Sequence, residues 1–182
     1  MTILNILQYP DPRLRTKAEP VAEVDAGVRQ LVDDMFATMY ESSGVGLAAT
    51  QVDVHKQIIV IDISGGVEGS KSDPICLINP EIIEQHGCSD IEEGCISVPG
   101  FYACLSRADV ITVRALNRNG KSYEREAQGL LSVCIQHEMD HLQGKLFVDM
   151  LSEMKRNKIR KALEKKQRQQ RQKQTIDEPV AL

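Results

Sequence analysis

The nine residues from Gln136 to Gly144, Gln-His-Glu-Met-Asp-His-Leu-Gln-Gly, constrain this chain more than any other stretch. Two histidines four positions apart on a helix lie one turn above each other, so both imidazoles reach one ion, and Glu138 beside the first can address a water on it. Such a helix has to face inward, and another ligand has to arrive from elsewhere in the chain. The plainer alternative is a surface helix that happens to carry two of the four histidines.

At 182 residues, 42% hydrophobic and 26% charged, the chain suits one globular domain with a real core and a tail. No apolar run approaches the roughly 20 residues that span a bilayer, and the opening Met1-Thr-Ile-Leu-Asn-Ile-Leu has neither basic leader nor cleavage site. A cytoplasmic protein without a membrane partner is the expectation. Five cysteines (Cys76, Cys88, Cys95, Cys104, Cys134) are an odd number, which favours buried thiols or a metal thiolate over a disulfide framework. The net charge of -4 hides an asymmetry: Met154 to Gln174 holds ten Lys or Arg against Glu164, a formal +9, and the remainder carries -13.

Along the chain, residues 1 to 24 read as an irregular lead-in that packs on the body, because Pro10, Pro12 and Pro20 fix dihedrals and remove donors. From Asp25 as N-cap, Val28, Leu31, Val32, Met35 and Met39 have the spacing of an amphipathic helix that stops near Ser43-Gly44. Gly44 to Gln51 is a run of small residues that lets the backbone turn and lets something approach closely, or is only a turn before a strand. Strands are expected over 57–62, 75–79, 81–85, 109–116 and 121–127, the last two joined by the Asn117-Arg118-Asn119-Gly120 turn, so the sheets are mostly antiparallel. Ser64 to Pro74 reads as a polar loop. Isolated cysteines are usually buried small hydrophobes, and Cys76, Cys88 and Cys104 are read that way. Gly129 opens the helix of the two histidines, with Leu130, Val133 and Cys134 continuing their face as apolar surface; this strip is either core or one wall of a pocket. Gly144 suits the C′ position, and Lys145 to Asp149 should return to extended structure.

Three readings of the metal site differ in the third ligand. A metzincin pattern needs a histidine where this chain has Phe147. A thermolysin-like site needs a downstream Glu, and Glu153 and Glu164 border or lie in the basic stretch. The remaining reading takes Cys95, inside Ile91 to Gly100, and leaves the fourth position to water.

Gly44 to Gln51, Glu93 to Ser97 and Gln136 to Gly144 resemble, in that order, the three motifs of peptide deformylases, and the Tyr9-Pro-Asp-Pro-Arg opening agrees. The resemblance covers roughly residues 1 to 150, with Ile96 where Leu is usual. It implies an α+β fold in which antiparallel β-sheets surround a central metal-binding helix, with an N-terminal amphipathic helix and a basic C-terminal helix. It divides the chain into a catalytic domain, residues 1–150, and a basic helix with a disordered tail, residues 151–182. The implied activity is removal of the N-formyl group from formyl-methionine at the start of newly made polypeptides.

On that reading Cys95, His137 and His141 hold one divalent ion, Fe(2+) in the cell, with Zn, Ni or Co possible in purified samples. A metal-bound hydroxide attacks the formyl carbon while Glu138 serves as general base and then acid. Gln51, through its side-chain amide, and Ile96, through its backbone N–H, stabilise the oxyanion. Gly46 binds substrate through its backbone, and Val45, Ile91, Leu130, Val133 and Cys134 surround the methionine side chain or are ordinary core. Glu93 and Arg107 orient the ligands from behind, or are solvated surface. The helix at 152–174, capped by Ser152, is implied to contact the ribosome near the exit tunnel; the alternative is a solvated or frayed tail. Two rival functions are a ribosome-associated module with a closed structural site, for which Cys134 or His86 would supply the fourth ligand, and another metallohydrolase.

Overall fold

In a computed structural model of the chain, residues 1–64 and 72–177 are described. Most of the 64–74 loop and the tail around Pro179 therefore lie outside the described residues. Helix α1 spans Ala26–Glu41, and the Asp25 side chain accepts from the Val28 N–H at 2.8 Å, which satisfies an end donor the helix itself cannot. Strands β1 (Gly46–Ala48), β2 (Ile58–Ile61), β3 (Ile75–His86), β6 (Val110–Leu116) and β7 (Ser122–Gln128) form one sheet in the order β1-β2-β3-β6-β7. Strands β4 (Ser89–Gly94) and β5 (Tyr102–Arg107) form a separate two-stranded sheet, and every pairing is antiparallel. Helix α2 spans Leu130–Leu142 and α3 spans Glu153–Asp177.

The alternation of side chains along a strand explains how this sheet carries a helix on each face. Ile59 and Ile61 of β2 join Leu77, Ile111, Val113 and Ile135 on the α2 side, whereas Ile58 and Val60 join Val32, Met35, Met39 and Leu47 on the α1 side. Helix α2 thus lies between the large sheet and the β4–β5 hairpin, where its Ser132, His137, Glu138 and His141 are buried. A third cluster, Leu7, Tyr9, Leu14, Val98, Phe147 and Val148, ties the N-terminal segment to the region after α2, and Ile159 and Leu163 of α3 complete it.

Several local expectations need correction. Pro80 does not interrupt β3: Asn79 adopts φ +52, the register shifts between Ile78 and Glu81, and a bulge absorbs the residue that lacks a donor. The Asn79 side chain also accepts from Val21 N–H at 2.8 Å and donates to Val21 O at 2.9 Å. Phe147–Met150 is a 3-10 turn rather than extended chain, because the Asp149 carboxylate accepts from the Leu146 N–H at 2.9 Å and folds the segment back. Cys88, in the turn before β4, and Cys104, on the outward face of the β4–β5 hairpin, are exposed, and Cys76 on β3 is half-buried. Gly144 is dictated by two constraints at once: φ is +70, and a Cβ would strike the carbonyl of Arg15. No helix among the described residues is long and apolar enough to cross a membrane.

Candidate metal centre and cleft

Helix α2 delivers three polar side chains to the interior. His137, Glu138 and His141 are all buried, and the hydrophobic strip towards the N-terminus of the helix is half-buried in core and half open to a cleft. The fourth polar group arrives with β4, whose last residue, Gly94, precedes Cys95. Here the chain turns, with Val98 N–H donating to Cys95 O at 2.8 Å, so the Cys95 side chain is presented to α2. Cys95 Sγ lies 3.2 Å from His141 Nε2, which lies 3.2 Å from His137 Nε2, and the three donor atoms are within 4.8 Å of one another.

These atoms fit a metal. Nitrogen and sulfur donors at ordinary bond lengths around a tetrahedral ion stand about 3.3 to 3.6 Å apart, close to what is found. The two Nε2 atoms face each other at 3.2 Å, a spacing at which both can bind one cation, and the other nitrogen of His137, Nδ1, is engaged by Glu93 Oε2 at 2.8 Å. Among the described residues no other group of three such ligand side chains converges. Glu153 and Glu164 lie on α3 outside the group, and Phe147 stacks on the His137 ring with centroids 6.4 Å apart instead of a ligand standing there.

Glu93 and Arg107, expected behind the ligands, are found there and buried. Arg107 Nε and Nη2 donate to the two oxygens of Glu93 at 2.5 and 2.9 Å, and Nη1 donates to Asp140 Oδ2 at 2.8 Å. Burial alone would raise the Glu93 carboxyl, yet His137 and Arg107 hold it below the usual range. Burial drives His141 well below an ordinary imidazole and pushes Glu138 up to about 7, whereas against the same burial Cys95 and Glu93 hold His137 well above its ordinary value. Glu138 Oε2 is buried and has no hydrogen-bond partner within the protein.

Gln51 is fixed with its amide in one sense. Its Oε1 accepts from Ala48 N–H at 2.8 Å, so Nε2 is turned towards Ser97 Oγ at 3.0 Å and Cys95 Sγ at 3.6 Å. A cleft of about 650 Å³ opens beside these groups. Its wall contains Gln51, Cys95, Ile96, His137 and Glu138 from the reacting end, and Val45, Gly46, Ile91, Leu130, Val133 and Cys134 from the expected pocket. His141 and Arg107 lie behind this wall. The structure adds Tyr102, whose ring lies against Gly94 across the hairpin and is largely exposed at the cleft. It also adds Ser97 and Asp140. Neither was separable by sequence from ordinary polar residues, although Asp140 stands at i+3 from His137, the spacing that shares a helix face.

Residues 3–157 match the sequence model of the family described as polypeptide deformylase. Peptide deformylases of Hahella chejuensis and Pseudomonas aeruginosa are each 58% identical, over 91% and 93% of this chain and 96% and 99% of their own lengths. A crystal structure of a peptide deformylase from Legionella pneumophila superposes with a TM-score of 0.86 at 47% identity, covering 98% of this chain and 100% of that one. One from Ehrlichia chaffeensis, in complex with actinonin, gives 0.87 at 43% identity, covering 92% and 99%. With the three motifs, the fold and the converging donors in agreement, the chain belongs to the peptide deformylase family.

Proposed function

We propose that this protein removes the N-formyl group from the N-terminal formyl-methionine of newly made polypeptides and releases formate. One observation carries the reading: a Cys95, His137 and His141 donor set lies beside a buried Glu138 carboxylate, whose Oε2 has no hydrogen-bond partner within the protein, on the wall of a largely apolar cleft. A divalent ion on those donors, Fe(2+) in the cell, supplies Lewis-acid chemistry, acidifying water and polarising the formyl carbonyl. Glu138 takes a proton from the attacking water and returns it to the departing amine, a role worth roughly 100- to 10,000-fold. Gln51 Nε2 points into the cleft beside Cys95 and donates to the developing oxyanion, with the backbone N–H of Ile96 as second donor; one such donor is worth roughly 100- to 1,000-fold. Val45, Ile91, Leu130, Val133 and Cys134 take up the methionine side chain, and Gly46 offers its backbone. A closed structural site is disfavoured by the same burial pattern, since Cys134 Sγ is directed to Val45 O at 3.9 Å and His86 is exposed at the end of β3.

The test is formate release from formyl-Met-Ala-Ser by protein loaded anaerobically with ferrous iron, beside Glu138→Ala and Cys95→Ser. Wild-type turnover, with Glu138→Ala keeping metal but losing rate and Cys95→Ser losing metal, is expected. No formate from a metal-replete wild type would defeat the assignment.

In the same reading residues 1–150 carry the chemistry and the basic segment at 152–174 brings the enzyme to the ribosome near the exit tunnel. Exposed Lys155, Lys158, Arg160, Lys161, Lys165, Lys166 and Arg168 suit a phosphate backbone. Because Ile159 and Leu163 belong to the core, the informative truncation is after Lys166 rather than after Ser152, combined with Lys→Glu changes at 158, 161 and 165. Undiminished co-sedimentation with ribosomes would sink this part.

A further inference from the structure

Helix α2 carries a second stripe that the proposed chemistry leaves unused. Ser132, Gln136 and Asp140 follow at i, i+4 and i+8, hence along one face, next to that of Val133 and His137. All three reach the same two residues at the end of β5. Ser132 Oγ donates to Ala108 O at 2.8 Å, and Gln136 Nε2 donates to it at 2.9 Å while Gln136 Oε1 accepts from Ala108 N–H at 3.1 Å. Asp140 Oδ2 accepts from Arg107 Nη1 at 2.8 Å.

From Arg107 the connection runs on to Glu93 on β4 and from Glu93 to Nδ1 of His137, so it returns to the helix three residues from where it began. Cys95 stands two residues beyond Glu93. One buried guanidinium therefore governs both how the His137 ring is held and how closely the hairpin bearing Cys95 approaches α2. Its charge is divided between two carboxylates. If Glu93 were its only partner, that carboxylate would be largely neutralised; with Asp140 taking a share, Glu93 keeps more negative charge for the His137 N–H. In a buried setting that difference is poorly screened.

We infer that Asp140 is a positioning residue of the donor site, acting through Arg107 and Glu93 to orient His137 and to set the approach of Cys95. The inference rests on the assignment of Cys95, His137 and His141 as ligands. Its substitution leaves every ligand and Glu138 in place.

The experiment uses the full chain with Co(2+) as probe, in wild type, Asp140→Asn and Asp140→Ala. Three quantities are read: affinity by chelator competition, the visible absorption of the bound ion, and the melting temperature of the metal-free protein. Asp140→Asn keeps the shape and an acceptor but loses the charge, and a fall in affinity of about 10-fold is expected; Asp140→Ala should approach about 100-fold, each with a shifted absorption band. Affinities within twofold of wild type with superimposable spectra would overturn the proposal. A lowered melting temperature with unchanged Co(2+) binding would also overturn it, because the pair would then be a structural tie only. Should Asp140→Ala fail to fold, the isosteric Asp140→Asn decides. A wild type that bound no Co(2+) would instead refute the ligand assignment itself and this step with it.

Discussion

Gly46→Ala offers the sharpest test of how the cleft holds Glu138, the proposed general base. A Cβ at this position would lie 2.5 Å from Glu138 Oε1 and 2.8 Å from Cys134 Sγ, where ordinary contacts are about 3.5 Å or more. The strain has to be relieved by roughly 1 Å of movement. Glu138 yields first, since its carboxylate is the free end of a flexible side chain whereas β1 is hydrogen-bonded to β2 along Gly46–Ala48. Overpacking of this kind costs about 1 to 3 kcal/mol of stability, which leaves the protein folded. The larger effect is on chemistry: a displacement of about 1 Å in a reacting group lowers the rate about 100-fold. Alanine keeps the backbone N–H, so the substrate contact proposed for residue 46 survives. The expected outcome in formate release is therefore a kcat down about 100-fold, KM within a few-fold of wild type and full metal content. A double-mutant cycle isolates the cause. In Glu138→Ala protein the struck oxygen is gone and only the Cys134 contact remains, so adding Gly46→Ala should lower the residual rate by no more than a few-fold. Wild-type kcat in the single variant, or the same large loss again in the Glu138→Ala background, would refute the reasoning.

Three further outcomes are expected. Gly144→Ala forces a positive φ on alanine and drives its Cβ into the Arg15 carbonyl, so urea unfolding should show a loss of about 2 to 4 kcal/mol; under 1 kcal/mol would mean the segment relaxes freely. Asp62 would be raised by burial, but Ser64, Ser72 and Tyr40 hold it at about 2, below its unfolded value, so its stabilisation is complete above about pH 4 and is lost as the pH falls through about 2. Asp62→Asn should thus cost up to about 2 kcal/mol at pH 7, with the difference from wild type closing between about pH 4 and 2; a gap that persists at pH 2 would contradict the sign. Aerobic storage should drain activity from the ferrous enzyme faster than from the nickel form, and equal decay of both would count against iron as the cellular metal.

Apart from β1, which lies in the small-residue run read as a turn, the large sheet was legible in the sequence because its strands are β-branched runs bounded by turn residues such as Asn117 and Gly120. The β4–β5 hairpin was not. Its residues, from Ser89 to Gly94 and from Tyr102 to Arg107, alternate polar and small groups with few β-branched side chains, and its burial comes from packing on α2 rather than from its own composition. Phe147–Met150 escaped for a related reason: a side chain, Asp149, bends the backbone, and local periodicity carries no trace of that. The ligands were legible because a metal imposes residue types at fixed spacing. The charged groups behind them were only partly so, since Glu93, Arg107 and Asp140 are distant in sequence and each, in isolation, has the chemistry of a surface residue.

In the C-terminal helix the docking face and the charged face are separate. Ile159 and Leu163, one turn apart, fix which face of α3 meets the body, and both are buried against the N-terminal segment; Gln167 Nε2 adds a contact to Tyr9 O at 3.3 Å. That docking needs no cations. Arg156 and Arg160, Lys161 and Lys165 stand at i, i+4, and Lys155 and Lys158, Lys158 and Lys161, Lys165 and Arg168 at i, i+3, with Glu164 the one acid among them. Like-charge neighbours at these spacings destabilise a helix by about 0.2 to 0.5 kcal/mol each, so the pattern works against the stability of α3. An uncharged polar face would serve a merely solvated helix better. The basic residues fit the polyanionic partner proposed above, with the ordered first turns holding the charge at a fixed place on the body.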